Sequence, residues 1–143
     1  MVMVMQILKT KSNAVWTVGP QESVYAALKL MAEKEIGALV VVEAGKVVGI
    51  FSERDYARKV ILEGKSSKET PVKEIMTERV VGVNIDTTVE VCMELMTEGH
   101  FRHLPVMDGN HLVGVVSIGD VVKSIMSDQG HLIEQLENYI LGR

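Results

Sequence analysis

Apolar residues in this chain fall in two patterns, one at helical spacing and one in short unbroken runs. Val24, Ala27, Leu28 and Met31 lie at i, i+3, i+4 and i+7, the spacing of one helix face, and Gly37 reads as the stop of that helix. Two runs follow, 38–42 and 47–51, joined by Ala44-Gly45 as a tight hairpin turn. Ahead of the helix, Val15, Trp16, Thr17 and Val18 suit a short strand ended by Gly19-Pro20. Ile7 and Leu8, with the polar stretch Lys9 to Asn13, receive no element. From Ser52 a second helix is expected through Tyr56, Val60 and Ile61 to Gly64.

Residues 64–70 (Gly-Lys-Ser-Ser-Lys-Glu-Thr) are the linker-like stretch, and Thr70-Pro71 is expected to open a helical turn with the proline at its first position. A strand is expected over 80–83. Val89, Cys92, Met93 and Met96 then repeat the apolar helix face, with Thr87 and Glu90 spaced for a capping box. Residues 104–107 and 112–116 form the next hairpin, turned by Asp108-Gly109-Asn110, and a helix over 117–126 follows. Pro105 interrupts the first of these strands, which predicts an edge position or a gap in the ladder. After Asp128, Ile133, Leu136 and Ile140 share one helical face. That tail is too short to be stable alone and must pack on its own domain or on another copy of the chain.

The second half repeats the first. Gly49-Ile50-Phe51-Ser52-Glu53-Arg54-Asp55 is matched by Gly114-Val115-Val116-Ser117-Ile118-Gly119-Asp120: glycine, two apolar residues, serine, two free positions, aspartate. Upstream, Val24, Leu30, Met31, Leu39, Val41 and Val48 meet Val89, Leu95, Met96, Leu104, Val106 and Val113 at the same offset. Such a register marks an internal repeat. Each copy reads strand–helix–strand–strand–helix, so the chain is of the α/β (α+β) class. One copy leaves an apolar face uncovered, which two copies facing each other would share.

Composition narrows the function. An apolar share of 47% with 4% aromatic residues indicates an aliphatic core, and the net charge of −4 gives no support to nucleic-acid binding, which wants a basic face. The single Cys92 forms no internal disulfide and, on the apolar helix face, is expected in the core. With no membrane-length apolar run and no signal-peptide pattern, the expected location is the cytoplasm. His100, His111 and His131 show no metal-ligand spacing with one another or with Cys92, so no metal site is expected. Gly64-Lys65-Ser66 lacks the earlier glycine and the preceding strand of a phosphate loop.

The two Gly-h-h-Ser-x-x-Asp stretches, Ile75-Met76-Thr77 at the entry to the second copy, and Phe101-Arg102-His103-Leu104-Pro105-Val106 together resemble the cystathionine β-synthase (CBS) domain, in the tandem arrangement called a Bateman module. The resemblance places a first repeat at 4–64, a linker at 65–71, a second repeat at 72–128 and a C-terminal amphipathic helix at 129–143. It implies two repeats packed face to face with pseudo-twofold symmetry. It further implies a regulatory module that is not an enzyme and that binds AMP, ADP, ATP or NAD, with S-adenosylmethionine a further candidate, in two clefts between the repeats. A homodimer and an effector protein of unknown identity are the implied partners, with no nucleic acid and no membrane.

The residue chemistry is compatible with this. Asp55 and Asp120 present acceptor-only carboxylates suited to the two hydroxyls of a ribose, although with Ser52 and Ser117 they also spell helix capping boxes. Ser52 and Ser117 at helix starts favour an anion, as do Arg54, Arg58 and Lys59 in the first copy and Lys123 in the second, unless these are a solvated face. By resemblance Arg102 and His103 contact phosphates; the first copy has Gly37-Ala38 there, so the two clefts are not equivalent. Thr77 is a polar contact or a cap. Thr17, Val18, Ile36, Ala38 and Ile50 frame one adenine slot, and Gly82, Val83, Phe101, His103, Pro105 and Val115 the other, each equally plausible as core. Ligand-independent dimerisation or protein docking is the alternative function. A hydrolase is disfavoured because no spacing sets a base against a nucleophile or metal.

Overall fold

The computed structural model describes residues 2–11 and 15–142; residue 1, residues 12–14 at the end of the polar stretch, and residue 143 lie outside the described set. Residues 15–81 form one compact unit, and the residues before 15 together with those from Gly82 onward form another.

In the first unit, β1 (Thr17–Val18) pairs in parallel with β2 (Ala38–Glu43), which pairs antiparallel with β3 (Lys46–Ser52). Helix α2 (Val24–Lys34) starts on Ser23, whose hydroxyl accepts the Ala26 amide at 3.1 Å. It stops at Glu35, not at Gly37: Glu35 takes a left-handed φ of 54°, and the Ile36 amide closes back on the Met31 carbonyl at 3.0 Å. Ala44 and Gly45, both at positive φ (51° and 77°), make the tight turn expected between β2 and β3. After Ser52 the chain forms α3 (Glu53–Tyr56) and runs on as a π-helical turn, Ala57–Ile61, where one continuous α-helix was expected. Val18, Val24, Ala27, Met31, Leu39, Val41, Phe51 and Val60 make the core, joined by Val72 and Ile75.

The same architecture recurs in the second unit. Here β4 (Val83–Asn84) lies parallel to β5 (His103–Asp108), and β5 antiparallel to β6 (His111–Ser117). The strand expected over 80–83 is thus shorter and later. Helix α4 (Val89–Gly99) is capped by Thr88, whose hydroxyl accepts the Val91 amide at 3.3 Å; Thr87 instead accepts from the Asn84 amide. Cys92 is fully buried in α4, and burial raises its thiol pKa. β5 is the central strand, so Pro105 does not mark an edge. It opens a gap: Thr17 pairs with Val40 in the first unit, whereas the parallel ladder of the second unit starts one residue later, at Val83 with Val106. A proline without an N–H leaves that earlier rung unmade. The helix over 117–126 and the tail are one element, α5 (Ile118–Leu141).

Each unit is completed by the short segment that leads into the other repeat. In the second unit this is α1 (Val4–Thr10), to which the hydrophobic pattern assigned no element; Val4 and Ile7 are buried. The Val4 and Met5 amides donate to the Thr87 and Ile85 carbonyls, and the Val89 amide to the Val2 carbonyl, at 2.8–2.9 Å. In the first unit the 3₁₀ turn Val72–Glu74 does the same. Val72 and Lys73 donate to Glu22 and Pro20, and Val24 to Thr70, also at 2.8–2.9 Å. Pro71 caps this turn instead of opening it from within. These segments correspond at an offset of 68 (Val4 with Val72), not the 65 that relates Gly49 to Gly114. Ile75-Met76-Thr77, the entry to the second copy, therefore packs within the first unit.

Candidate ligand-binding sites

In both units the Gly-h-h-Ser-x-x-Asp stretch is the place where an outer strand, β3 or β6, ends and a helix begins. Ser52 and Ser117 have extended backbones and cap the following helix. Their hydroxyls accept the Asp55 and Asp120 amides at 3.2 and 3.1 Å, while Oδ2 of each aspartate accepts the serine amide at 3.0 and 2.8 Å. The capping boxes are formed twice. The glycine of the motif lets a second segment cross the strand. A Cβ at Gly49 would stand 2.6 Å from the Met76 sulfur and 3.1 Å from the Thr77 carbonyl, and one at Gly114 would stand 2.6 Å from Leu8. At the first crossing Thr77 and Ile50 exchange both backbone hydrogen bonds, at 2.9 and 3.0 Å.

This crossing delivers Thr77 to the first carboxylate. Its hydroxyl donates to Asp55 Oδ1 at 3.4 Å, and Lys59, one turn along the helix, pairs with the same oxygen at 3.2 Å while donating to the Ile75 carbonyl at 3.1 Å. Ser52, Asp55, Lys59 and Thr77 are thus gathered around one carboxyl group that is 13% exposed. Arg54 is half-buried beside them in sequence, and Arg58 is exposed. Strand register sets Thr17 across from Val40 and Val40 across from Ile50, with Ala38 across from Ser52, so these residues share one face of the sheet. Val18 points to the other face, into the core, and Ile36 lines a hollow with Gly37, Glu53 and Tyr56. Fully buried Val40 lies on this same face and carried no sequence signal beyond being apolar.

The second carboxylate takes its lysine from outside its own motif. Asp120 Oδ2 takes the Lys11 ammonium at 2.8 Å, and Lys11 also donates to the Val115 carbonyl at 2.9 Å. Burial works to raise the Asp120 pKa, but the Lys11 hydrogen bond and charge and the Ser117 hydrogen bonds outweigh it and hold the carboxyl below its ordinary value. The Ile118 amide donates to the Arg102 carbonyl at 2.8 Å, tying Arg102-His103 to the start of α5; Glu53 binds Gly37 in the same way at 3.1 Å. His103 lies opposite Ser117 in the β5–β6 register. Burial lowers its pKa, Asp120 opposes that, and Lys11 and Arg102 add to it. Pro105 and Val115 lie across from one another, with the Pro105 carbonyl next to Gly82. Val83 is core, Phe101 folds back over Gly99, which has no room for a side chain, and Lys123 is exposed along α5.

The two sites therefore share a carboxylate, a serine cap and a clamping lysine, but the lysine comes from different places. Lys59 sits on the helix of its own motif. Lys11 comes from the leading segment, more than a hundred residues away in sequence, and no local motif announced it. Among the described residues no group of three or more His, Cys, Asp or Glu side chains could hold a metal ion, and no helix is long and apolar enough to cross a membrane.

Comparison with known proteins matches the CBS domain model to residues 6–62 and again to residues 72–127. The chain is 43% identical over 126 residues to the mitochondrial CBS domain-containing protein CBSX3 of Arabidopsis thaliana, covering 85% of this chain and 61% of that protein. Among solved structures, a CBS-domain protein from Burkholderia ambifaria MC40-6 is 53% identical and superposes with a TM-score of 0.86, over 90% of this chain and 96% of that one. The CBS domain pair of protein MJ0100, solved with 5′-methylthioadenosine and S-adenosyl-L-methionine, is 26% identical with a TM-score of 0.79, over 90% of this chain and 98% of that one.

Proposed function

Since the chain belongs to the CBS-domain family, with two such domains in tandem, we propose that it is a regulatory module sensing an adenine nucleotide of the AMP, ADP, ATP or NAD type. The observation that carries this reading is the cluster at the start of α5. One ionised carboxylate, Asp120, pairs with Lys11 at a capped helix N-terminus, and His103, across the strands from Ser117, feels the charges of Asp120, Lys11 and Arg102. A carboxylate accepts the two hydroxyls of a ribose, and the basic groups with the helix dipole suit the phosphate attached to it. Asp55, Ser52, Thr77 and Lys59 offer a second ribose position that is not equivalent to the first, because Gly37-Ala38 stand where the second unit has Arg102-His103. The bound structure of the MJ0100 pair supports an adenosyl ligand in this fold. Occupancy reaches a partner protein only if the ligand binds two conformations of the module with different affinity. The reading assigns no reaction to either site.

Native mass spectrometry of the purified protein, followed by mild denaturation, tests the proposal. The expected result is a released adenosine-containing mass, or one that appears when AMP, ADP, ATP or NAD is added. A protein that stays empty and whose melting temperature ignores all four, and S-adenosylmethionine as well, overturns it.

The proposal also fixes a pH dependence. In the ligand-free protein His103 is held below its ordinary pKa, so it is neutral near pH 7. A phosphate beside it raises that value. The complex then binds more protons than the free protein between the two pKa values, and affinity strengthens as pH falls through that window. Titration calorimetry of NAD, whose phosphates carry no group that titrates near neutrality, in buffers of different ionisation enthalpy is expected to show proton uptake on the acid side of neutrality, abolished in His103→Gln. Equal uptake in the variant removes His103 from the phosphate position.

A further inference from the structure

Lys11 holds an oxygen that a bound ribose would need. Oδ2 of Asp120 accepts the Ser117 amide and the Lys11 ammonium, both at 2.8 Å. A carboxylate oxygen has two lone pairs, so this one is fully engaged. A ribose diol that engages both carboxylate oxygens requires one of the two donors on Oδ2 to give way. The Ser117 amide is backbone, fixed by the capping box that starts α5. Lys11 is a flexible side chain, 38% exposed. The lysine is therefore the donor that yields, while its base stays in place. The Lys11 amide ends α1 on the Leu8 carbonyl at 3.3 Å, and Leu8 packs where a side chain on Gly114 would stand.

We infer that Lys11 is a specificity residue of the second site. It gives up Asp120 to the ribose and turns to a phosphate on the same ligand, so the site selects phosphorylated over unphosphorylated adenosyl ligands. The inference rests on the ribose reading of Asp120 given above. Displaced by a neutral nucleoside, Lys11 loses its charged partner and keeps only water and the Val115 carbonyl, which it already binds at 2.9 Å. Displaced by a nucleotide, it meets a new anion beside the one it left. Its three N–H donors serve the phosphate and the carbonyl together, and a hydrogen bond between two ionised groups is the strong kind. Breaking the ion pair thus opposes every ligand equally, and only a phosphate replaces it.

Titration calorimetry of AMP and adenosine on the parent, Lys11→Met and Lys11→Arg is the test. The parent is expected to prefer AMP. In Lys11→Met, AMP is expected to bind at least about tenfold more weakly, having lost a hydrogen bond to a charged group. Adenosine is expected to bind about two- to fivefold more tightly, because no partly exposed ion pair has to be broken. Lys11→Arg, which keeps the charge, is expected to retain the preference for AMP. A lysine that only ties α1 down would weaken both ligands alike. A parent that binds adenosine as tightly as AMP, or a preference for AMP that is unchanged in Lys11→Met, overturns the inference and leaves the nucleotide reading standing. A parent that binds no adenosyl ligand overturns that reading, and the inference with it.

Discussion

Asp120→Ala is expected to weaken adenine-nucleotide binding at its site by at least about 100-fold while leaving the protein folded. The carboxylate would accept two ribose hydroxyls, and hydrogen bonds to a charged partner contribute about 1.5–3 kcal/mol each. The lower end of that range for both bonds, about 3 kcal/mol, is two decades of affinity. The stability cost is smaller. Asp120 loses its part in the capping box, about 1 kcal/mol, and its ion pair with Lys11, which is partly exposed and contributes little. Titration calorimetry on Asp120→Ala and Asp55→Ala therefore separates two roles that the ligand-free structure superimposes. Unchanged affinity with a lowered melting point leaves the aspartate as a cap only; strongly reduced affinity with a small loss of stability makes it the ribose acceptor. Asp120→Asn retains one carbonyl acceptor without the charge, so its loss is expected to fall between the parent and the alanine variant.

The observed capping box and the proposed ribose acceptor draw on the same carboxylate, which is why the sequence was informative here. A capping box and a ribose acceptor at a helix start are written with the same letters, Ser-x-x-Asp, and both repeats carry them in register. The helices α2 and α4 and the two hairpins were equally legible, because burial of one face enforces a period and a tight turn enforces its residues. What escaped was encoded at long range or against local preference. Helix α1 has Val4, Ile7 and Leu8 at i, i+3 and i+4, yet it is short and its cover comes from residues 85–89. Its equivalence to Val72–Glu74 was hidden by the change of offset from 65 to 68. Lys11 reaches Asp120 only through the folding of α1 onto the second unit. Glu35 and His100 end their helices in left-handed conformations that a glycine would adopt more easily, so the nearby Gly37 drew the expected boundary two residues too far. The tail was expected to start after Asp128, but α5 runs through that point and through Gly130, since one glycine costs a helix only about 1 kcal/mol.

Phe51→Ala is expected to destabilise the protein by about 3–5 kcal/mol, the range for truncating a buried aromatic side chain. Phe51 heads the largest fully buried side chains, and it shares its cluster with Leu39, Val41, Val60, Val72 and Ile75. Those neighbours come from β2, the π-helical turn and the segment around the 3₁₀ turn Val72–Glu74. A cavity there loosens the packing of the strand that ends on Ser52 and of the segment that carries Thr77, the two elements that set the geometry around Asp55. Denaturant unfolding followed by circular dichroism measures the loss. The counterpart Val116, at the equivalent place in the second unit, has a smaller side chain, and Val116→Ala is expected to cost less. Val115→Ala, whose side chain is only half-buried on the opposite face of β6, is expected to cost less again. Equal losses for Phe51→Ala and Val115→Ala would mean that the buried cluster does not carry the stability of the first unit, and that the position of Asp55 is set by something other than the core beneath it.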